Sequence, residues 1–373
     1  MRRALAPFIL AGSVAVLAPH ARAADTREGP WQDCTRITED AGRLACFDQW
    51  ARHMAAGTAA AASHGSAPQG AAGIPAAAPG LPDLPSPPDA DGCRNGPYTT
   101  LSRFWELEAG SDCGTLRFRG YRPLNVSVVT ANTVNQQPTS ENPLNDASGS
   151  IPYKRTEMRI QLSVRTKLAK NLLTRGDTAA RDSLWFGYTQ QSYWQLFTPA
   201  ISRPFRNTDH EPELVYVSPT TADLPWGWRW RYSGIGLVHQ SNGQSLPLSR
   251  SWNRVYLMAG LERGDDWLVT ARLWQRLHES AASDDNPDIS DYIGRAELGL
   301  TWNATRDDTL ALTARHTLRA NARGSLRLEW LHRLGENSNL RLHTALFSGY
   351  GDSLIDYNRR RTVLSIGLSL LDF

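Results

Sequence analysis

Apolar and polar residues alternate along most of the chain beyond residue 116. The segment 158–165, Met-Arg-Ile-Gln-Leu-Ser-Val-Arg, alternates throughout, and segments 267–274 and 364–370 repeat the pattern. Because successive side chains of a strand point to opposite faces, a period of two predicts β-strands with one apolar and one polar face. Alternating segments of about ten residues, separated by turn residues, are typical of transmembrane β-strands.

About twelve such segments can be placed, and an even number suits a closed antiparallel barrel. Arg159, Arg165 and Arg272 lie on the non-apolar face, where a barrel has a polar lumen. The sequence therefore predicts an all-β fold, a transmembrane antiparallel barrel of about twelve strands. A secreted β-sandwich, which would need core residues on that face, is the alternative. The predicted strands are 118–130, 154–167, 183–196, 210–219, 227–241, 252–262, 266–277, 292–302, 308–317, 323–334, 339–348 and 361–373.

The first 23 residues have the features of a secretory signal peptide. Met1-Arg2-Arg3 is a basic start, an apolar run from Ala6 to Leu17 follows, and Ala21-Arg22-Ala23 is a small-residue cleavage site. A helical membrane anchor is the alternative, but it needs about 20 apolar residues. We therefore expect export and cleavage after Ala23.

The rest of the chain divides by composition into three regions. Residues 24–54 are predicted to form a small cysteine-paired periplasmic segment, with a short helix flanked by Cys34 and Cys46. Residues 55–92 are rich in Ala, Pro and Gly, cannot bury a core, and are predicted to be a disordered linker. Residues 93–373 are predicted to be the barrel domain.

Four cysteines precede or begin the barrel region, namely Cys34, Cys46, Cys93 and Cys113. In an exported chain an even number of cysteines indicates disulfides. Three pairings are possible, and we favour the one that is local in sequence, Cys34–Cys46 with Cys93–Cys113. A metal site is disfavoured because the chain has no Cys-x-x-Cys spacing.

Charge and hydropathy exclude two other classes of protein. The chain has 40 basic and 37 acidic residues in 373, a formal net charge of +3, and its basic residues are dispersed. This balance gives no electrostatic basis for binding nucleic acid. A mean hydropathy of -0.42 leaves no room for a bundle of membrane-spanning helices.

A polar trio interrupts the apolar face of one predicted hairpin. His239 and Ser241 share a face with Leu237 on the first strand, and Asn253 lies on the apolar face of the second. A base, a hydroxyl and an amide able to orient the base are the components of a serine hydrolase. Their position on an apolar face indicates an apolar substrate. The alternative is a polar hairpin tip whose residues only build a turn.

Several motifs resemble those of the outer-membrane phospholipase A family. The segments 239–243, His-Gln-Ser-Asn-Gly, and 249–254, Ser-Arg-Ser-Trp-Asn-Arg, look like its active-site signature. The resemblance covers roughly Leu116 to Phe373, and neither the linker nor the Cys34–Cys46 segment takes part in it. Other segments match the family in the same order, namely 188–196, 204–208, 284–289 and 348–358.

The resemblance implies a twelve-stranded outer-membrane barrel with catalytic residues on its exterior. The implied activity is calcium-dependent hydrolysis of the sn-1 and sn-2 acyl esters of membrane phospholipids and lysophospholipids, activated when the protein forms a homodimer. Ser241 corresponds to the nucleophile, His239 to the proton acceptor and Asn253 to the residue that orients His239. The Gly243 N–H corresponds to the oxyanion donor, and Gln190 to a polar residue at the dimer interface.

The family also binds one Ca²⁺ per monomer in the dimer. The corresponding oxygen ligands are Ser249 of one protomer, Ser202 of the other, and the backbone carbonyl of Gln244, with Asp285 nearby as a second-site ligand. Such oxygen ligands suit a hard cation. The chain departs from the family at Gln244 and Leu246, where the family carries arginine and aspartate. These departures leave open a barrel that keeps the triad without calcium activation. A separate alternative is a non-catalytic, porin-like or structural barrel, in which the trio has no catalytic role.

Overall fold

The computed structural model describes residues 34, 36–39, 41–49, 98–174, 180–281, 283–320, 322–335 and 338–370. The chain divides into two units, Met1–Pro82 and Asp83–Phe373. The predictions for the signal peptide, the linker 55–92 and Cys93 fall outside the described residues. In the described part of the chain, no helix is long and apolar enough to cross a membrane.

The first unit contains a disulfide and a helix. Cys34 and Cys46 are joined, as their local spacing predicts. The helix, α1 (41–49), contains Cys46 and continues beyond it, whereas we expected a helix flanked by the two cysteines. In the second unit Cys113 is also disulfide-bonded.

The described residues of the second unit form one α-helix, thirteen strands and several single turns of 3₁₀ helix. The α-helix is α2 (Thr100–Trp105). The strands are β1 (Phe118–Gly120), β2 (Leu124–Ala131), β3 (Thr156–Lys170), β4 (Ser183–Trp194), β5 (Phe205–Asp223), β6 (Arg229–Ser241), β7 (Ser251–Arg263), β8 (Trp267–Arg276), β9 (Ala296–Asn303), β10 (Asp308–His316), β11 (Gly324–Arg333), β12 (Leu340–Gly349) and β13 (Arg361–Leu370). The 3₁₀ turns are Ala109–Ser111, Pro143–Asn145, Pro199–Ile201, Pro225–Gly227, Ile289–Asp291 and Leu354–Asp356.

The strands form one closed antiparallel barrel. Each strand from β2 to β13 pairs with its neighbour in sequence, and β13 pairs with β2 to close the circle. Strand β1 pairs with β3 on the same side as β2, since Phe118 lies opposite Thr166 and Asn125 lies opposite Gln161. Strands β1 and β2 are therefore one barrel position, interrupted at residues 121–123. The barrel has twelve positions, which confirms the predicted fold class.

Alternation along each strand separates a membrane-facing surface from a polar interior. On β13, Leu364 and Ile366 are about half exposed, at 48% and 52%, whereas Ser365 and Ser369 are buried. Arg159 is likewise buried inside the barrel, as its parity predicts. An exterior of exposed leucine and isoleucine side chains around a polar interior is the pattern of a barrel solvated by lipid.

Helix α2 packs into the barrel beside a polar cavity. The Trp105 ring contacts Trp185, Tyr232 and Tyr121 at centroid distances of 5.7, 5.8 and 6.1 Å. Trp185 and Tyr232 lie near the first residues of β4 and β6, so α2 occupies the end of the barrel opposite the longer loops 132–155, 195–204, 242–250 and 277–295. The barrel encloses a cavity of about 740 Å³ lined mainly by polar and charged side chains.

Candidate active site

The predicted trio lies on the outer surface of the hairpin formed by β6 and β7. His239 is directly opposite Asn253, and Ser241 is opposite Ser251. The apolar neighbours on this surface include Leu237, whose side chain is 50% exposed, whereas Val238 of the opposite parity is buried. Strand parity therefore places His239, Ser241 and Asn253 on the lipid-facing side, as predicted.

A hydrogen bond joins two members of the trio. His239 Nδ1 and Asn253 Oδ1 are 2.9 Å apart. Since an amide oxygen only accepts, this contact requires a proton on Nδ1 and leaves the lone pair of Nε2 free in the neutral ring. In the described part of the chain no hydrogen bond joins the Ser241 hydroxyl to this ring, and catalytic hydrogen bonds are often long before substrate binds.

The loop after Ser241 is held by the side chain of Asn242. Its amide accepts a hydrogen bond from the Arg250 backbone N–H at 2.9 Å and donates one to the Leu248 carbonyl at 2.8 Å. These bonds cross the base of the loop, so Asn242 sets the direction in which the chain leaves β6. Gly243 follows with φ +61°, a left-handed conformation that glycine adopts without strain.

The Arg250 side chain braces the same loop from inside. Its guanidinium donates to the carbonyls of Ser249 at 2.6 Å, Pro247 at 3.2 Å and Asn145 at 2.9 Å. Burial lowers the pKa of Arg250, opposed by the nearby Tyr357 and acidic side chains. The group remains protonated at neutral pH, since an arginine pKa starts above 12. The charged brace therefore ties loop 242–250 to loop 132–155.

A second histidine borders Gly243. His210 lies opposite Ser241 in the register between β5 and β6. A Cβ placed on Gly243 would be 3.6 Å from the His210 ring, so the Gly243 backbone lies close to this ring. His210 Nδ1 is 2.8 Å from the Tyr188 hydroxyl, and that hydroxyl donates to Gln190 Oε1 at 3.2 Å. Gln190 thus belongs to a polar cluster beside the trio on the outer surface.

Two of the predicted calcium ligands meet in the structure. The Ser249 hydroxyl donates to Asp285 Oδ2 at 2.7 Å, and Asn145 Nδ2 donates to Asp285 Oδ1 at 3.1 Å. Ser202 is exposed in loop 195–204, and the Gln244 side chain donates to the Arg206 carbonyl at 3.3 Å. No hydrogen bond joins Ser202 or Gln244 to Asp285 within the described ranges.

The Ser249 hydroxyl and the Asp285 carboxylate offer oxygen ligands, which suit a hard cation. Asn145 presents its Nδ2 to Asp285, and its Oδ1 is buried without a hydrogen-bond partner. Among the described residues, no group of three or more His, Cys, Asp or Glu side chains could hold a metal ion. The adjacent oxygen atoms of Ser249 and Asp285 fit part of a calcium site.

Sequence reasoning missed Asn145, His210 and Glu279. Glu279 Oε1 accepts a hydrogen bond from Asn253 Nδ2 at 3.1 Å. The three residues come from loop 132–155, from β5 and from loop 277–295. Only His210 had a usable signal, because it lies in a predicted strand with the parity of the lipid-facing side. Asn145 and Glu279 lie in loops, where no periodicity marks a functional side chain.

Fold and site together define a class of protein, a transmembrane β-barrel with a serine, histidine and amide constellation on its lipid-facing surface. A family model described as phospholipase A1 matches residues 101–370. The chain therefore belongs to the phospholipase A1 family, and it is an outer-membrane barrel enzyme of the phospholipase class.

Individual relatives and solved structures agree with this assignment. The chain is 37% identical over 293 residues to a putative phospholipase A1 of Neisseria meningitidis, which covers 77% of this chain and 74% of the relative. The solved outer membrane phospholipase A of Escherichia coli is 30% identical, with a TM-score of 0.62 over 72% of this chain and 97% of the other. The Salmonella typhi outer membrane phospholipase dimer with bound calcium is 30% identical, with a TM-score of 0.60 over 69% and 93%.

Proposed function

We propose that this phospholipase hydrolyses the sn-1 and sn-2 acyl esters of phospholipids and lysophospholipids in a calcium-dependent reaction, as a homodimer in the outer membrane. The observation that carries this proposal is the 2.9 Å contact between His239 Nδ1 and Asn253 Oδ1, beside Ser241 on the lipid-facing surface. The phospholipase A1 family match supports the same reaction. Residues 1–23 are proposed to direct export and to be removed.

The reaction uses the three side chains in the order that their geometry allows. His239 Nε2 takes the proton of the Ser241 hydroxyl as its oxygen attacks the ester carbonyl carbon. When the tetrahedral intermediate collapses, His239 returns that proton to the leaving alcohol of the lipid. Water then attacks the acyl-enzyme with His239 again as base, which releases the fatty acid and regenerates Ser241.

Asn253 keeps His239 in the required tautomer. Its Oδ1 accepts the Nδ1 proton, so Nε2 stays free to act as base, and the same contact stabilises the imidazolium that forms. An aspartate in place of Asn253 would put an additional charge on a surface in contact with lipid, which costs a few kcal/mol. A neutral amide orients the ring without that cost.

The backbone of the loop supplies oxyanion stabilisation. The Gly243 N–H is the proposed donor, and a donor of this kind is worth about 3 kcal/mol in the transition state. Gly243 leaves open the space beside His210, because a side chain there would lie against the ring. A substrate carbonyl can therefore approach the backbone N–H closely.

Ser249 and Asp285 are proposed to hold calcium together with Ser202 of a second copy of the chain. The bound cation would supply positive charge near the developing oxyanion. Because Ser202 comes from the second copy in this proposal, calcium binding would require the dimer. Gln190 is proposed to lie at the dimer interface, where its amide oxygen accepts from the Tyr188 hydroxyl in the polar cluster that includes His210. Leu246 contributes no carboxylate, so calcium binding depends on Asp285.

The direct test is fatty-acid release by the refolded chain in mixed micelles of detergent and phospholipid with calcium. A passive barrel would instead conduct ions across a planar bilayer and release no fatty acid. Helix α2 and the side chains around the cavity fill part of the barrel interior. We expect hydrolysis, and a protein that conducts without hydrolysing would contradict the proposal.

Removing calcium with a chelator should lower the hydrolysis rate by about 100-fold, the scale of losing one oxyanion stabiliser. Asp285→Asn should raise the calcium concentration needed for half-maximal rate, because it removes a charge from the ligand set. Asp307→Asn, in a short turn at the opposite end of the barrel, is the matched control. If chelation and dilution to monomer both left the rate unchanged, the calcium and dimer proposals would be wrong and the triad proposal would stand.

Asn253→Ala should lower kcat by about 10- to 100-fold and leave KM nearly unchanged. The ring of His239 loses its orienting acceptor, but Ser241, His239 and the Gly243 N–H remain. Steady-state kinetics of fatty-acid release measures both constants. A large rise in KM at constant kcat would show instead that Asn253 binds substrate.

A further inference from the structure

Glu279 forms a second contact with the amide that holds His239. Its Oε1 accepts from Asn253 Nδ2 at 3.1 Å, on the side of the amide away from the histidine. The Glu279 side chain is only 17% exposed. The segment that carries it is anchored to the same strand, since the Leu277 N–H donates to the Asn253 carbonyl at 2.8 Å.

Glu279 is itself held in place by a loop network. Its Oε2 lies 3.9 Å from Arg276 Nη2, and that nitrogen donates to Asp284 Oδ1 at 2.6 Å. Arg276 Nη1 also donates to the Pro287 carbonyl at 2.9 Å. A partly buried carboxylate with a fixed cationic neighbour keeps its position, so it can impose an orientation on the amide it contacts.

A carboxylate restricts the amide in a way that a neutral partner does not. An amide group has an oxygen acceptor on one side and an NH₂ donor on the other, and the two differ little in shape. An ionised carboxylate only accepts hydrogen bonds. Glu279 therefore selects the orientation in which Nδ2 points towards it, and Oδ1 of Asn253 then points towards His239.

The orientation of this amide decides the protonation of the base. If the amide turned over, its NH₂ would face Nδ1 of His239 and favour the tautomer with the proton on Nε2. That tautomer has no lone pair to receive the Ser241 proton, and a wrong histidine tautomer costs about 10⁴ in kcat in a serine protease triad. A partner that prevents this rotation therefore keeps His239 in the tautomer that can accept the Ser241 proton.

We propose that Glu279 is a positioning residue of the hydrolytic site, which acts through Asn253 to keep His239 protonated on Nδ1 and extends the relay to Ser241, His239, Asn253 and Glu279. The inference rests on the proposed function, because it assigns a residue to the same reaction. The alternative is a purely structural Glu279, whose carboxylate only pairs with Arg276 in the loop. Under the proposal, the effects of substitutions at Glu279 and Asn253 on kcat depend on each other. Under the alternative, they are independent.

The test compares single and double substitutions that exchange amide and carboxylate. E279Q offers the Asn253 amide a partner that can donate or accept, so rotation becomes possible. The value of kcat should fall about 10-fold at constant KM, the scale found for hydrogen-bond partners behind metal-binding histidines. N253D sets two carboxylates against each other and should lose about 100-fold. N253D/E279Q pairs an amide donor at position 279 with a carboxylate acceptor at position 253, so it should recover about 10-fold over N253D.

Two controls accompany these kinetics. Glu141→Gln makes the same change at an exposed carboxylate of loop 132–155 and should leave kcat unchanged. Heat-modifiable electrophoretic mobility reports the folded fraction of every variant. As a readout independent of turnover, ¹⁵N NMR of the His239 ring, assigned with His239→Ala, should show the Nδ1–H tautomer in the wild type and a mixture of tautomers in E279Q.

The possible results separate the two proposals. If E279Q matched the Glu141→Gln control in both kcat and ring tautomer, or if the losses of E279Q and N253D simply multiplied in the double variant, Glu279 would not act through Asn253. Hydrolysis that requires Ser241 would still support the proposed function in that case. A wild-type protein without hydrolysis would overturn both proposals.

Discussion

Replacing Ser241 by alanine should abolish fatty-acid release, with kcat falling by at least about 10³-fold. Ser241 supplies the hydroxyl that forms the acyl-enzyme in the proposed reaction, and loss of the nucleophile costs about 10⁶ in kcat in a well-studied serine protease. The residual rate would come from water, oriented at the site beside the Gly243 N–H. Fatty-acid release from mixed micelles with calcium measures the loss.

Ser233→Ala is the matched control for this prediction. Ser233 lies on the same strand with the same outward parity, towards the opposite end, and its hydroxyl is 3.3 Å from the Thr220 hydroxyl. The control removes a lipid-facing hydroxyl without touching the trio, so hydrolysis should remain at the wild-type rate. Unchanged turnover in Ser241→Ala would remove the proposed mechanism and favour a trio without catalytic function.

Replacing Arg206 by alanine should lower the free energy of unfolding by about 3–5 kcal/mol, because it leaves buried carboxylates with too few partners. Arg206 Nη2 is 2.8 Å from Glu157, and Nη1 is 2.8 Å from Asp356. All three side chains are at most 1% exposed, and Arg361 pairs with the same two carboxylates. Urea unfolding of the refolded barrel, followed by tryptophan fluorescence, measures the change.

Arg229→Ala is the comparison that isolates burial. Arg229 pairs with Asp223 at 3.2 Å, but both side chains are largely exposed, at 52% and 82%. Exposed pairs are solvated and screened, so this substitution should leave the free energy of unfolding nearly unchanged. Equal effects of the two substitutions would show that water reaches the Arg206 network and that burial is not the cause of its stability.

The local alternation of apolar and polar residues predicted the strands, because each strand has lipid on one face and the polar barrel interior on the other. The alternation of 158–165 predicted a strand with Arg159 and Arg165 inside, and β3 places both side chains in the interior. The interruption of the first strand at 121–123 was not predicted. At this point the Tyr121 ring packs against Trp105, which belongs to helix α2. That contact depends on a helix outside the sheet, and strand periodicity carries no information about it.

The candidate site likewise combines features that the sequence predicted with contacts that only the fold shows. His239 and Asn253 belong to one hairpin, so strand parity was enough to predict that they share its apolar face, and the structure shows that they lie opposite each other. Ser249 and Asp285 were named through family resemblance, and only the fold shows that their side chains touch. Asn145 reaches this pair from another loop, and nothing in its sequence neighbourhood indicates that contact.

The sequence by itself determined the barrel, its two faces and the trio on its lipid-facing surface. These features follow from a period of two and from residues close together in the chain, and both are local properties. The tertiary structure decided which loop side chains support the trio, above all that Glu279 lies behind Asn253 and that Asn145 lies beside Asp285. Such contacts depend on how loops fold over the end of the closed barrel, and barrel closure is a property of the whole chain.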